Sequence, residues 1–179
     1  VGPPDLPRRA KIVSYSTRHV HGYSEFSQTS HGISIKLLHF VPVDDSFKIS
    51  RLTVANHSAR ARHLSITADV EWVIGQSRSA SAPFVVTEID SETGAVFARN
   101  PWNDQFGERV AFLDLNGLQT AWTCDRGEFL GRDGAMDRPL GLTPGTLLSN
   151  RVGPRLDPCG ALQALVCLYA GDTSENGLF

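Results

Sequence analysis

Apolar and polar residues alternate with a period of two along much of this chain. The clearest run has the apolar residues Leu64, Ile66, Ala68, Val70, Trp72 and Ile74 at every second position. Residues 33–41 and 162–168 repeat this pattern. Because successive side chains of a strand point to opposite faces of the sheet, the alternation predicts strands with one buried face. Two of the three tryptophans, Trp72 and Trp122, lie within predicted strands and are predicted to be core residues.

The rest of the chain also favours strands. Further strands are predicted at 11–20, 47–56, 83–90, 94–99, 108–115 and 118–124, with turn-forming residues at 42–45, 56–58, 91–94 and 116–117. Asp90 is predicted to cap the turn at 91–94. No long segment has a helical period, so the fold class predicted is all-β, an antiparallel β-sandwich. The domain is placed at residues 11–170, after a Pro-rich linker at 1–10 and before a polar tail at 171–179, with a long loop at 131–158.

Composition and charge argue against several classes of partner and site. The chain has 17 basic and 19 acidic residues, interspersed, which gives no field that attracts nucleic acid or an anionic membrane. It has no apolar run of the roughly 20 residues that span a bilayer. Its three cysteines, Cys124, Cys159 and Cys167, lack a CxxC spacing and are predicted to be buried reduced thiols.

Catalytic and metal-binding patterns are weak. His19 and His21 are on one predicted strand face, but no acid or cysteine follows at ligand spacing, so no metal and no other cofactor is predicted. His39 is predicted to be a hydrogen-bonded core or interface residue. The acids near residue 125 suggest a carboxylate pair, yet Asp125 beside Arg126 and Glu128 near Arg132 are better interpreted as ion pairs, and no catalytic residue is assigned.

Two runs carry the groups that bind sugars, ARNPWNDQF at 98–106 and DRGEFLGR at 125–132. An indole can stack on a pyranose ring while amide, guanidinium and carboxylate groups bond its hydroxyls. The predicted substrate-binding residues are Arg99, Asn100, Trp102, Asn103, Arg126, Glu128 and Arg132. Pro101 favours an extended Asn100, which would present this loop at a strand end. Core packing is the alternative interpretation of Trp102.

Several longer motifs in matching order resemble one family. They are HGYSEFSQTSHGI, HFVPVDDSFKISRLTVANHS, HLSITADVEWVIG, VVTEIDSETGAVFARNPWN, WTCDRGEFLGRDG and LDPCGALQ. Together they are similar to the N-terminal β-sandwich of glycoside hydrolase family 94, formerly glycosyltransferase family 36, as found in the phosphorylase-like region of cyclic β-1,2-glucan synthases. The resemblance refines the fold to a super-sandwich that is part of a larger enzyme.

The resemblance also implies a role and partners. It implies a non-catalytic domain that rims the active site of an α/α-barrel in the same polypeptide, with a β-glucan or glucosyl substrate and a possible homodimer. The catalytic aspartate and the phosphate site would belong to that barrel. The domain would be a soluble, cytoplasmic-facing part of a bacterial inner-membrane enzyme. Two alternatives stay open: an autonomous carbohydrate-binding module, and a purely structural or dimerisation sandwich. In the full enzyme, residues 99–103 and 126–132 are expected to lie together at one edge.

Overall fold

The computed structural model describes residues 15–132, 134, 136 and 138–179, so the predicted linker at 1–10 lies outside the described residues. Strands dominate it: β1 Tyr15–Val20, β2 Tyr23–Ser30, β3 Ile33–Phe40, β4 Ile49–Asn56, β5 Arg62–Glu71, β6 Val86–Ile89, β7 Val96–Arg99, β8 Ala111–Leu113, β9 Ala121–Asp125, β10 Pro158–Leu168 and β11 Thr173–Leu178. Two short α-helices, α1 Arg78–Ser81 and α2 Arg126–Leu130, and 3-10 turns at Ala82–Phe84 and Leu140–Leu142 interrupt them. The predicted antiparallel all-β fold is confirmed.

The chain divides into two compact units, one ending at Ser65 and resuming at Leu165, the other covering Ile66–Ala164. The first contains a five-stranded antiparallel sheet in the order β1-β2-β3-β4-β11. Its register places Phe26 opposite Leu37 and Leu37 opposite Leu52. The strands β2 and β3 form a hairpin whose two turn residues both have positive φ, as a two-residue turn matched to the twist of the strands requires.

The polar C-terminal segment is a strand, and the prediction of a tail at 171–179 is wrong. In β11 the residues Thr173–Leu178 pair with Ala55–Ser50 of β4. Such a ladder rests on main-chain hydrogen bonds, so an edge strand forms without an apolar face. The buried Asn56 also fixes the preceding chain, because its Nδ2 donates to the carbonyls of Leu168 and Tyr169, each at 3.0 Å.

The second unit has the more deeply buried interior. One of its sheets has the order β6-β7-β8, and β9 pairs with β10 in another, which also includes β5. A core cluster joins α2 to these strands through Phe129, Leu130, Leu148, Ala121 and Ala161. Between residues 131 and 158 the described residues contain the 3-10 turn at Leu140–Leu142 and a single bridge between Arg151 and Thr123, in line with the predicted long loop.

Trp72 is a core residue, as predicted, and is only 7% exposed. Its ring packs so closely on β10 that a Cβ atom added to Gly160 would lie 3.0 Å from Trp72 Cζ2. Trp122 is half-buried. The strand predicted at 64–74 ends at Glu71, although the Trp72 amide still donates to the carbonyl of Pro158, the first residue of the neighbouring strand β10, at 3.3 Å.

The cysteines follow the prediction only in part. Cys124 and Cys159 are buried free thiols, whereas Cys167 is exposed. Burial raises the pKa of Cys124 to about 11, and burial also raises the pKa of Cys159. These two thiols therefore stay protonated and behave as small apolar groups near neutral pH.

Two predicted polar roles are confirmed. Asp90 caps its turn by accepting hydrogen bonds from the amide of Thr93 at 2.9 Å and from the Thr93 hydroxyl at 2.6 Å. His39 is half-buried and lies 2.7 Å from the hydroxyl of Ser50. Burial, and next the charge of Lys48, lower the pKa of His39, so the neutral imidazole is favoured.

Candidate functional site

The loop after β7 is fixed by a buried asparagine. Asn100 is 5% exposed, and its Nδ2 donates to the carbonyl of Ile74 at 2.8 Å. Its Oδ1 accepts from the amide of Trp102 at 3.1 Å, which is an Asx turn. The prediction treats Asn100 as a loop-edge sugar contact, but its burial and these internal bonds make it the anchor of the loop.

A second asparagine orders the next turn of the same loop. Asn103 Oδ1 accepts from the amides of Gln105 at 3.0 Å and Phe106 at 2.9 Å. The Asn103 amide donates to the Asn100 carbonyl at 3.1 Å. The backbone of Gly107 packs tightly against this turn, since a Cβ at that position would lie 2.8 Å from the Asn103 carbonyl oxygen. Side-chain oxygens therefore shape this loop without a strand ladder.

Trp102 projects from this loop into solvent. Its side chain is 76% exposed, so core packing, the alternative interpretation from sequence, is wrong. The nearest aromatic ring is Phe84, with a centroid separation of 5.8 Å and an interplanar angle of 39°. Phe84 follows α1 in its 3-10 turn and is itself 43% exposed. A pair of exposed rings on a fixed loop is a surface on which a ligand can stack.

These rings belong to a groove of about 780 Å³, which we call the Trp102 groove. It is lined by Ile74, Gly75, Gln76, Ala80, Ser81, Phe84, Asn100, Trp102, Asn103, Asp104, Gln105, Phe106, Arg109, Val110 and Ala111. The guanidinium carbon of Arg109 lies 5.4 Å from the Phe106 ring centroid, a cation–π arrangement. The groove thus combines an apolar wall with a few polar groups, as small-molecule sites do.

The second run, 125–132, is built differently. The Asp125 carboxylate caps α2 by accepting from the amide of Gly127 at 3.0 Å, and it pairs with Arg151 at 2.6 Å. The predicted pairing of Asp125 with Arg126 is therefore wrong. At the start of a helix, the capping side chain turns back over the first helical amides. The next side chain, that of Arg126, extends toward Glu71.

Arg126 belongs to an ion-pair network. It pairs with Glu71 at the end of β5, and its guanidinium also lies 3.9 Å from Asp157. Arg78 of α1 reaches the same two acids, Glu71 at 3.3 Å and Asp157 at a shorter distance. Two arginines and two carboxylates thus tie α1 and α2 to the end of β5. None of these four residues lines the Trp102 groove. The network acts on the groove indirectly, because it holds α1, whose Ala80 and Ser81 line it.

Glu128 accepts hydrogen bonds from the Thr123 hydroxyl and from both the amide and the hydroxyl of Ser149, each at 2.7 Å. Burial raises the pKa of Glu128, but these hydrogen bonds and the charge of Arg151 outweigh it, so the pKa lies below the ordinary value. The predicted pair with Arg132 is not formed, because Glu128 is directed to Thr123 and Ser149. Arg132 is exposed and makes no hydrogen bond or ion pair within the described residues.

Comparison with known proteins identifies the fold. The family model of the glycosyl hydrolase 94 supersandwich domain matches residues 4–176. The chain belongs to this family. A curated relative is the cyclic beta-(1,2)-glucan synthase NdvB of Rhizobium meliloti (strain 1021), which is 36% identical over 163 residues. This match covers 91% of the chain but only 6% of the relative. The supersandwich chain thus corresponds to a small part of that protein.

The structure separates the predicted site residues of this supersandwich domain into two groups. The Trp102 groove includes Asn100, Trp102 and Asn103. Arg99, Arg126, Glu128 and Arg132 are not among its lining residues. Arg99 is exposed on β7, 3.9 Å from Glu88. Both runs contact the same segment, because Asn100 bonds to Ile74 and Arg126 pairs with Glu71, but residues 126–132 do not line the groove.

Sequence reasoning did not assign Phe84, Phe106 or Arg109 to the candidate site, although Phe106 belongs to the first predicted run. Phe84 comes from a 3-10 turn and not from the predicted strand at 83–90. Phe106 and Arg109 follow the loop whose turns Asn103 sets, and the Asn–x–x–Phe spacing was the available signal for Phe106. Position 84 had no local signal, because only the tertiary fold brings it to Trp102.

Other site types have little support in the described residues. These contain no group of three or more His, Cys, Asp or Glu residues placed to hold a metal ion. His19 is bonded to Ser24 at 2.9 Å, in line with a structural histidine. None of the described helices has both the length and the apolar character needed to cross a bilayer.

Proposed function

We propose that this supersandwich domain is a non-catalytic, sugar-contacting part of a longer glucan-processing enzyme. Its loop at 99–103 would rim the active site of an α/α-barrel in the same polypeptide. Family membership and the similarity to a cyclic β-1,2-glucan synthase over 91% of the chain support this proposal. We further propose that the enzyme is attached to the bacterial inner membrane with this domain on the cytoplasmic side.

The observation that carries the proposal is the exposed Trp102 on a loop that is otherwise firmly bonded. Two asparagines fix the loop through four side-chain hydrogen bonds to the backbone. A scaffold of this kind holds an aromatic side chain in solvent, where it contributes little to the core. An exposed aromatic on a fixed loop is a typical arrangement for recognition.

A non-catalytic role agrees with the bonding of the local acids. Asp125 caps α2 and pairs with Arg151, and Glu128 is bonded to Thr123 and Ser149. Each carboxylate has a structural partner, and neither residue lines the Trp102 groove. We expect the isolated chain to release no glucose 1-phosphate from β-glucan and phosphate, and to transfer no glucose from UDP-glucose. Turnover that disappeared in Asp125→Asn or Glu128→Gln would contradict this.

The proposed contact is tested by steady-state kinetics in the longer enzyme. Trp102→Ala should lower kcat/KM for the glucan about tenfold, as loss of a central aromatic contact does. Trp102→Phe should keep most of the activity. The matched control is Tyr169→Ala, which removes an aromatic of similar exposure, 68%, that does not line the groove. Unchanged kinetics in Trp102→Ala would overturn the proposal.

A second candidate function is an autonomous carbohydrate-binding module. The pairing of Trp102 with Phe84 favours it, because binding modules present more than one exposed ring and the sequence alone indicated too few. Binding of glucan by the isolated chain distinguishes this candidate from a purely structural sandwich. The homodimer implied by the resemblance stays a prediction, which sedimentation of the longer enzyme would test.

A further inference from the structure

The chain contains two copies of the sequence Asn–Gly–Leu, at 116–118 and at 176–178. An asparagine that precedes glycine loses its side-chain amide readily, because glycine has no Cβ to hinder attack by its own backbone nitrogen. In an unfolded chain the two copies should therefore react at similar rates. The fold places them in opposite surroundings, so any difference in their rates is caused by the structure.

The first copy lies in an exposed turn between β8 and β9. Asn116 and Gly117 have φ values of 58° and 71°, and the Leu118 amide closes the turn on the Leu115 carbonyl at 3.2 Å. Both residues of the turn are exposed. The side chain of Asn116 forms no hydrogen bond with another described residue. It can therefore rotate toward the nitrogen of Gly117 without breaking a side-chain hydrogen bond.

A carboxylate is held against the attacking nitrogen of this copy. The Gly117 N–H donates to Asp114 Oδ1 at 3.2 Å. Gln119 Nε2 donates to the same oxygen at 3.0 Å and to the Gly94 carbonyl at 2.6 Å, which fixes the carboxylate in place. A carboxylate that is hydrogen-bonded to the N–H proton is positioned to accept it as a general base.

The second copy is protected by a strand ladder. Asn176 is only 6% exposed, and its Nδ2 donates to the hydroxyl of Ser174 at 3.1 Å. Gly177 lies in β11 opposite Arg51 of β4. Ring closure between Asn176 and Gly177 would need β11 to leave β4 locally, and such an opening has a free-energy cost.

We propose that Asn116 is a site of spontaneous deamidation in the folded protein, whereas Asn176 is protected. The Gly117 nitrogen forms a bond to Asn116 Cγ while its proton passes to Asp114. The bond between Cγ and Nδ2 then breaks, and Nδ2 takes up that proton and leaves as ammonia. Water opens the resulting succinimide at either carbonyl carbon, which gives aspartate or isoaspartate at position 116. No oxidant or reductant is needed.

Peptide mass spectrometry of the chain, incubated in mildly alkaline buffer, tests the proposal. We expect Asn116 to be converted at least about tenfold faster than Asn176 in the folded chain, because only Asn176 requires local opening. In concentrated urea the two rates should agree within about twofold, because the fold no longer separates them. Asn176 is thus a matched control within the same molecule.

The variant Asp114→Asn tests the role of the carboxylate. Asparagine keeps an acceptor oxygen for the Gly117 amide but is not a base. Conversion of Asn116 should slow at least about threefold in the folded variant and stay unchanged in urea. Circular dichroism checks that the variant is folded. A structural role alone would not slow the reaction, because loosening the turn would leave Asn116 just as accessible.

Two results with the wild-type chain would overturn the inference. One is conversion of Asn176 as fast as Asn116 in the folded chain. The other is no product at Asn116 after an incubation that converts both residues in urea. An unchanged rate in folded Asp114→Asn would refute the general-base step. The inference goes beyond the proposed function and does not depend on it, because residues 114–117 do not line the Trp102 groove.

Discussion

Two aromatic residues show how the two units use exposed apolar surface differently. Phe26 of β2 contacts the rings of Tyr15, His19 and His39, at centroid distances of 6.4, 5.9 and 5.5 Å, and is half-buried on its sheet. Trp102 lies beside the ring of Phe84 and stands 76% exposed. A strand face surrounds its aromatic with cross-strand partners, whereas a loop held by asparagines leaves its aromatic available for a ligand.

The largest expected effect is at Trp72, a core residue of the second unit. Trp72→Ala should lower the free energy of unfolding by roughly 3–5 kcal/mol, because it removes a buried ring packed on Gly160. Urea denaturation followed by circular dichroism measures this. The neighbouring Val73→Ala is the control, since Val73 is 49% exposed. A loss below about 1 kcal/mol for Trp72→Ala would contradict the assigned core.

Asn100→Ala tests whether the loop is held as described. The change leaves the Ile74 carbonyl and the Trp102 amide without their partners, which should cost about 1–3 kcal/mol in unfolding free energy. The control is Gln105→Ala, because its exposed side chain has no hydrogen bond within the described residues. Equal stability of the two variants in urea denaturation would show that Asn100 does not anchor the loop.

The hydrogen bonds of Glu128 predict a pH dependence. Because the folded pKa of Glu128 is lowered, the folded chain binds fewer protons than the unfolded chain between the folded value and the ordinary value of 4.5. The contribution of Glu128 is therefore complete above pH 4.5 and is lost as the pH falls through the folded pKa. The stability difference between wild type and Glu128→Gln should shrink on acidification. A difference that stayed constant with pH would contradict this.

The smallest expected effect on stability is at Trp102. Trp102→Ala should change the free energy of unfolding by at most about 0.5 kcal/mol, as surface substitutions do. Phe26→Ala should lower the free energy of unfolding by more than Trp102→Ala does, although phenylalanine is smaller than tryptophan. The reason is that the Phe26 ring contacts three neighbouring rings. Thermal or urea unfolding of both variants compares them directly. A larger loss for Trp102→Ala would show that the indole is structural.

The fold was predictable where side chains alternate, and less so where main-chain bonds decide. The alternating run from Leu64 to Ile74 predicted β5, although the strand itself ends at Glu71. β11 was missed because an edge strand such as Thr173–Leu178 needs no apolar pattern. β2 was missed in the same way, since Tyr23–Ser30 is mostly polar on both faces.

The site was predictable in its loop and not in its partners. Trp102 and Asn103 were found because their chemistry is evident from residue type and from the run that contains them. The burial of Asn100 was not predicted, since the sequence does not reveal that its amide bonds the carbonyl of Ile74. The arginine of the second run, Arg126, was predicted to contact sugar, but distant carboxylates at 71 and 157 engage it. Such pairings depend on the tertiary fold.

The central claim is that the Trp102 groove, and not the five-stranded sheet, meets the sugar. Amide and indole chemical shifts of the isotope-labelled chain, recorded by NMR during titration with β-1,2-linked glucotetraose, test it most directly. The account predicts shifts concentrated at the Trp102 indole, at Phe84 and along residues 103–109, with little change in β1 to β4. Shifts centred on Phe26 and its sheet, or no saturable shift at any concentration, would contradict it.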